Sequence, residues 1–329
     1  MMKAVMLKSY GGPDVMRVGE TARPIPAEGQ VRIKVMATSV NRADLSQREG
    51  HYPSPPGESE ILGLEASGVI DAVGAGVVNW APGDRVMSLL AGGGYAQYAL
   101  AYADHLLPIP EAMDFNSAAC VCETYMTAFL NVFLIGGLGD GQSVLLHGGG
   151  GGVNTAGIQL CRTLTADVKI VVTASPAKIE RVGRLGVDLV INYKDQDFAE
   201  QIRSYTADKG VDVILDHIGA AYIDKNLKAL AIGGRLVIIG LLGGAMAQLD
   251  LGRLMVKRQR IIGSVLRARP VQEKAQITEA FKEKVLPLLA DATIVPLIDA
   301  VYPLEAAADA HRKMAESRHF GKIVLAVRT

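Results

Sequence analysis

The chain has 329 residues, with 34 basic and 34 acidic side chains and a formal net charge of zero. That length suggests about two domains. A hydrophobic fraction of 49% with 21% charged residues excludes a disordered chain, which lacks the apolar surface to offset its ordering entropy. Zero net charge argues against a nucleic-acid protein that works by bulk electrostatics. Three cysteines, Cys120, Cys122 and Cys161, are too few for a disulfide framework and fit a reducing compartment. The N-terminal residues lack a signal-peptide core. The longest apolar run, Leu236 to Ala247, falls short of the ~20 residues a membrane helix needs. The expectation is a cytoplasmic protein that does not span a membrane.

The first third reads as β-rich. Val31, Ile33 and Val35 alternate with Arg32, Lys34 and Met36, the pattern of a half-buried strand. Apolar segments at Gly68–Val73, Arg85–Leu89 and Tyr95–Leu100 follow, separated by turns such as Ala81-Pro82-Gly83-Asp84. The proline-rich stretch Tyr52 to Gly57 is a loop, because proline cannot donate to a ladder or continue a helix.

From about Val144 the rhythm changes to alternating strand and helix. Strands are predicted at Val144–His147, Ile170–Thr173, Leu189–Ile191, Val211–Leu215, Arg235–Ile239 and Arg260–Val265. Helices start near Val153, Pro176, Asp197 and Ile223. Ser175-Pro176 reads as an N-cap followed by a first-turn proline, and Asp197 to Glu200 has the spacing of a capping box. This rhythm predicts a doubly wound parallel sheet. The tail carries helical patterns at Gln272–Leu289 and Leu304–Ala315 and a strand at Lys322–Val327. The expected organisation is one discontinuous domain, 1–125 with 267–329, interrupted by a nucleotide-binding domain at 126–266. The cleft between them is the expected ligand site.

Val144-Leu145-Leu146-His147 runs into Gly148-Gly149-Gly150-Gly151-Gly152-Val153-Asn154, and a helical pattern follows. Strand, glycine turn and helix N-terminus together suit a dinucleotide pyrophosphate: the turn lets the backbone approach, and the helix start offers N–H groups and a positive dipole end. An NAD site usually places an acid ~20 residues later, for the ribose 2′-hydroxyl. Here Val172-Thr173-Ala174-Ser175-Pro176-Ala177-Lys178 has none. A 2′-phosphate is attracted by Lys178, so NADPH is favoured over NADH. The bland alternative makes Ser175 a helix cap and Lys178 a solvated residue.

Zinc needs three or four Cys, His or carboxylate ligands. His51, His105, Cys120 and Cys122 show no ligand spacing, and the cysteines read as small packing residues in a helix. No zinc is expected.

Several motifs carry a resemblance over essentially the whole chain. They are Asn41-Arg42-Ala43-Asp44-Leu45, Gly63-Leu64-Glu65-Ala66-Ser67-Gly68-Val69-Ile70, Ala81-Pro82-Gly83-Asp84-Arg85-Val86, Thr127-Ala128 and Gly321-Lys322-Ile323-Val324-Leu325. Their order resembles the medium-chain dehydrogenase/reductase superfamily, and within it the zinc-free, zeta-crystallin-like quinone oxidoreductases. In the zinc enzymes of that superfamily the ligand cysteine falls around Asn41 and the ligand histidine at Leu64, neither of which can serve here. The resemblance implies an α/β fold: a Rossmann-type parallel sheet inserted in a mostly β, GroES-like catalytic domain.

It also implies roles. Asn41 and Tyr52 lie near the nicotinamide and substrate and are the catalytic candidates. Thr127 contacts the nicotinamide side. Gly151, Gly152 and Val153 hold the pyrophosphate, and Ser175, Lys178 and Tyr193 surround the 2′-phosphate. Ile218, Gly240 and Leu241 line later strand ends, and Leu266 and Arg267 meet the nicotinamide end. A homodimer is implied as well. The chain departs from the family in one place, with Asn154 where the turn usually ends in glycine. Glu65 reads as a structural carboxylate paired with an arginine, and His217 as a wall residue or, less favoured, a proton donor.

The leading expectation is zinc-independent, NADPH-dependent reduction of quinones, in which the cofactor carries the chemistry. Reduction of enals or enones is the alternative within the same class. A third reading, of another class, is an NADPH-binding protein acting through partners or RNA; Lys257-Arg258-Gln259-Arg260 is a small basic cluster, but the zero net charge gives it no support.

Overall fold

The structure, a computed structural model, describes residues 1–327. The chain divides into two compact units. The first comprises Met1–Met126 and the chain from Leu266 onward; the second is Thr127–Val265.

The second unit is a six-stranded sheet. Its strands are β1 (Ser143–His147), β2 (Lys169–Ala174), β3 (Leu189–Asn192), β4 (Val211–Asp216), β5 (Leu230–Ile238) and β6 (Arg260–Gly263). The spatial order is β3-β2-β1-β4-β5-β6, and every neighbouring pair is parallel. This is a doubly wound sheet whose direction of winding reverses between β1 and β4, the place where such folds bind nucleotides. Helices cover both faces, so the strands are apolar on both sides rather than alternating. Val144, Leu145 and Leu146 of β1 and Ile170, Val171 and Val172 of β2 are all fully buried. Each such side chain contributes about 1.5–3 kcal/mol by leaving water.

Local differences from the expected elements have simple causes. The segment after Ser175 begins as a single 3-10 turn at Pro176–Lys178 before the helix Ile179–Gly183, and the Ser175 side chain caps nothing. Asp197 caps its helix, accepting from the N–H groups of Ala199 and Glu200. β5 runs from Leu230 to Ile238, starting five residues before the predicted Arg235, with Gly233 and Gly234 inside it.

The first unit is built on a sheet in the order Ile298–Pro303, Lys322–Ala326, Gln30–Val40, Glu65–Val73, Arg85–Leu89, Leu106–Pro108. Tyr98–Tyr102 also pairs with Gln30–Val40. The first pairing is parallel and the others antiparallel. The hairpin Met2–Leu7 with Met16–Thr21 forms a separate two-stranded sheet. Val31, Ile33 and Val35 point into the core, which is closed by Leu304, Ala307, Ala310 and Met314 of the C-terminal helical segment. The predicted helix Gln272–Leu289 is two helices, Val271–Lys284 and Leu286–Ala290, broken before Pro287, because proline cannot donate to the preceding turn. Cys120 and Cys122 are buried, as expected of packing residues, but they lie in the turn between Phe115–Ala118 and Thr124–Ala128 rather than in a helix. Among the described residues no helix is long and apolar enough to cross a membrane.

Candidate active site

In the second unit the glycine turn joins β1 to helix α1, Gly152–Leu164. Gly148 adopts φ +74°, a conformation L side chains rarely take. A Cβ on Gly149 would stand 2.1 Å from Val172 Cγ1, so nothing larger fits beside β2. Gly151 is the extended N-cap of α1. The N–H groups of Gly152 and Val153 open the first turn, where a helix offers donors with no intrahelical acceptor. A turn of this kind, leading into a helix N-terminus, offers backbone donors of the sort that bind anionic groups.

Asn154 is 2% exposed. Its Nδ2 donates back to Gly148 O at 3.0 Å and to His147 O. The residue that departs from the family pattern thus ties the end of β1 to the turn and points away from the ligand surface. Beneath it runs a buried chain of hydrogen bonds. Gly148 N donates to Thr173 Oγ1 at 3.1 Å. His147 Nδ1 lies 3.1 Å from Thr173 Oγ1, and His147 Nε2 lies 2.8 Å from Asn226 Oδ1. Asn226 Nδ2 donates to Asp216 Oδ2 at 3.1 Å. An amide oxygen can only accept, so His147 carries its proton on Nε2 and takes the Thr173 hydroxyl at Nδ1. Burial pushes the His147 pKa down to about 3, so the imidazole stays neutral. The C-terminal ends of β1, β2 and β4 are locked together beneath the site.

The other expected cofactor contacts fall at these strand ends. Ser175 and Lys178 follow β2, whose last residue is Ala174, and Tyr193 follows β3 with Lys194 Nζ 5.9 Å from its ring. No acid stands at the end of β2. Ile218 N donates to Asp216 Oδ1 at 2.7 Å, and Gly243 N to Ile218 O at 2.7 Å. A Cβ at Gly240 would stand 3.1 Å from the carbonyl oxygen of His217, a tight approach. Leu241 is exposed beside it. The His217 ring packs on Gly148, 2.9 Å from where a Cβ would be. Thr127 is buried, and its carbonyl accepts Asn131 Nδ2 at 2.7 Å.

In the first unit the sheet register brings three polar side chains to one end. Ile323 pairs with Val40 and Thr38 with Ala66, so Lys322, Asn41 and Glu65 converge. Lys322 Nζ donates to Asn41 Oδ1 at 2.6 Å and to Glu65 Oε1 at 2.9 Å. Glu65 Oε1 also accepts Ser39 Oγ at 2.5 Å and Asn41 Nδ2 at 3.0 Å. The partner of Glu65 is thus a lysine, not the expected arginine. Asp44, at the third position of the helix Arg42–Arg48, completes the capping box with its N-cap Asn41, accepting from Asn41 N at 2.8 Å, and also accepts from Gly63 N at 3.1 Å. Burial raises its pKa to about 6, against the pull of those two donors.

Tyr52 is held from behind by Arg267. The guanidinium lies 5.2 Å from the Tyr52 ring centroid, close enough for a cation–π contact. Its Nη1 donates to Tyr52 O at 3.4 Å, its Nη2 to Ser54 Oγ at 2.9 Å and its Nε to Ala91 O at 2.7 Å. Burial pushes the Tyr52 phenol upward, so it is a neutral donor at physiological pH. Leu266, next to Arg267, is buried. A cavity of about 270 Å³ lies elsewhere in this unit, lined by Glu58, Ala91, Gly92, Tyr102 and Lys274. It contains neither Asn41 nor Tyr52 but shares Ala91 with the bonds of Arg267.

Zinc does not fit these residues. Leu64 is a core side chain at 1% exposure, and Asn41 Oδ1 is taken by an ammonium. No group of three His, Cys, Asp or Glu side chains able to hold a metal occurs among the described residues. Lys322, Asp44 and Glu123 were missed as site residues in the sequence. Lys322 and Glu123 each leave the signal of a charge set in an apolar stretch.

Two family models match the chain: an alcohol dehydrogenase GroES-like domain over residues 27–111 and a zinc-binding dehydrogenase over residues 185–325. Quinone oxidoreductase from Homo sapiens is 33% identical over 330 residues, spanning 99% of this chain and 98% of that protein. A mycobacterial structure described as the native Rv1454c complexed with NADPH aligns with TM-score 0.88 at 28% identity, covering 99% and 100% of the two chains. The CurK enoyl reductase aligns with TM-score 0.87 at 28% identity, covering 99% of each.

Proposed function

The chain belongs to the medium-chain dehydrogenase/reductase superfamily, on its quinone oxidoreductase branch, and on that premise we propose that it is a zinc-independent, NADPH-dependent quinone reductase. The observation that carries the reading is the Lys322–Asn41–Glu65 triad, where an ammonium stands among polar groups at the position the resemblance gives to a metal ligand. A quinone is already a strong electrophile and needs no Lewis acid. Bound NADPH supplies a hydride.

The protein supplies position and charge. Gly151, Gly152 and Val153 hold the pyrophosphate with backbone donors. Ser175, Lys178 and Tyr193 surround the 2′-phosphate, and the acid-free end of β2 removes the repulsion that would disfavour it. Thr127, Ile218, Gly240, Leu241, Leu266 and Arg267 line the cofactor. Asn41 is oriented by Lys322 and Glu65. Tyr52, fixed by Arg267, donates its phenol hydrogen bond to the oxygen that gains charge. The protein acts as a homodimer in the cytoplasm.

A second reading is supported by the enoyl reductase neighbours: the same donors can polarise the carbonyl of an enal or enone. A panel of one bulky quinone and one enal, with NADPH and with NADH, tests both. Turnover of the quinone with NADPH supports the first reading; turnover of the enal alone replaces it with the second.

A further inference from the structure

The polar cluster of the first unit holds one carboxyl that the reading above leaves without a task. Glu123 sits in the turn that leads into Thr124–Ala128. Its backbone N–H donates to Glu65 Oε2 at 2.9 Å, so two acidic residues meet at one point. Their bonding is unequal. Glu65 receives the Ser39 hydroxyl, the Asn41 amide, the Lys322 ammonium and the Glu123 N–H. Four donors, one of them a cation, define a carboxylate. Glu123 Oε2 is buried and has no hydrogen-bond partner.

The nearby cations are committed elsewhere. Lys322 directs its ammonium to Glu65 Oε1, Asn41 Oδ1 and Val40 O. Arg267 directs its guanidinium to Ala91, Tyr52 and Ser54. Glu123 is half-buried, and if it were ionised its buried Oε2 would carry charge beside the ionised Glu65 with no cation of its own. Two carboxyls in one site, one saturated and one not, separate into base form and acid form. The groups facing Glu123 are Glu65, Asp44, Lys322 and Arg267, and it acts in turn on Tyr52 and Cys122. Burial first, and the charge of Glu65 second, raise its pKa to about 8.

We propose that Glu123 is the acid that protonates the reduced substrate, next to Asn41 and Tyr52. This rests on the reductase reading. With NADPH bound, the quinone would gain two electrons and one hydrogen as hydride and become a hydroquinone monoanion. The Glu123 O–H bond breaks as the second hydroquinone O–H bond forms. Glu123 is left as a carboxylate and regains a proton from water. One NADPH, one quinone and one proton are consumed, and no other reactant is needed. With an enal the same proton goes to the α-carbon.

The first test needs no turnover. Infrared difference spectra of the protein against Glu123→Gln, recorded through a pH titration, are predicted to contain a protonated-carboxyl stretch at pH 7. That stretch should disappear as the pH passes about 8. Its absence at pH 7 overturns the proposal. The second test is kinetic: Glu123→Gln should lower kcat on the order of 100-fold, leave the NADPH dissociation constant unchanged and abolish the loss of rate above about pH 8. A variant with unchanged kcat and the same alkaline limb also overturns it. If Glu123→Gln fails to fold, the wild-type rate decides. A fall through about pH 8 supports the proposal, and a flat profile across that range overturns it. Failure of the reductase reading is seen separately, as wild-type protein that binds NADPH and reduces neither quinone nor enal.

Discussion

Lys322 and Glu65 form a buried ion pair at 2.9 Å, with the two side chains 4% and 1% exposed. They come from strands 257 residues apart in sequence, and Asn41 bonds to both. Breaking such a pair from one side leaves an uncompensated charge. Lys322→Met is predicted to cost about 3–5 kcal/mol of stability, whereas the double variant Lys322→Met with Glu65→Gln should recover part of that loss. Denaturant unfolding of the wild type, the two single variants Lys322→Met and Glu65→Gln, and the double variant measures the coupling.

Asn154 should matter through the turn rather than through the ligand. Asn154→Ala removes the ties to Gly148 O and His147 O and is predicted to destabilise the fold by about 1–3 kcal/mol, since it takes a buried donor from His147 O, whereas Gly148 O keeps the Gly151 N–H. NADPH affinity should fall several-fold in the same variant. Thermal unfolding and a fluorescence titration separate the two effects.

Cofactor choice should depend on Lys178. Lys178→Ala is predicted to weaken NADPH binding about tenfold, the size of one lost charge-assisted hydrogen bond, and to leave NADH binding unchanged. Equal losses for both nucleotides would remove Lys178 from the 2′-phosphate site.

Arg267 should act as a clamp on the Tyr52 loop. Arg267→Ala removes the bonds to Ala91, Tyr52 and Ser54. The predicted result is a higher KM for the quinone together with weaker NADPH binding, read from steady-state kinetics and direct titration.

Acid should destabilise the protein through its buried imidazoles. His311 Nε2 lies 3.0 Å from Tyr95 Oη and His311 Nδ1 lies 3.1 Å from Arg48 Nη1. Burial lowers the pKa of His311 and of His147 to about 3, below the ordinary ~6.5. The unfolded chain binds these protons first, so stability falls as the pH drops from ~6.5 toward 3. Asp44 and Asp216, both raised by burial to about 6, act in the opposite sense. Their contribution is present at low pH and is lost as the pH rises from ~3.9 through about 6. His311→Gln should therefore flatten the acid side of the stability profile.

The nucleotide unit was legible because its signals are local. The glycine run after Val144–His147 and the apolar strands at Ile170–Thr173 and Val211–Leu215 need only neighbouring residues to be read. The first-unit site was legible in part. Asn41 and Tyr52 lie in segments with turn or motif character. Lys322 was read only as the start of a strand, and Glu65 was given the wrong cation. Their partnership depends on the pairing of Lys322–Ala326 with Gln30–Val40, and no local pattern encodes it. Glu123 stands out locally as a charge in an apolar stretch, but nothing near it in sequence names Glu65 as its neighbour. The break before Pro287 was available in the sequence, and the helical periodicity on both sides of it hid the stop.

The most direct test of the function is NADPH oxidation by the purified protein with a bulky quinone, beside the same assay with NADH and with an enal. The account predicts fast quinone-dependent oxidation of NADPH, much slower oxidation of NADH, and no requirement for added zinc. Tight NADPH binding with no quinone reduction, or a rate restored only by zinc, would contradict it.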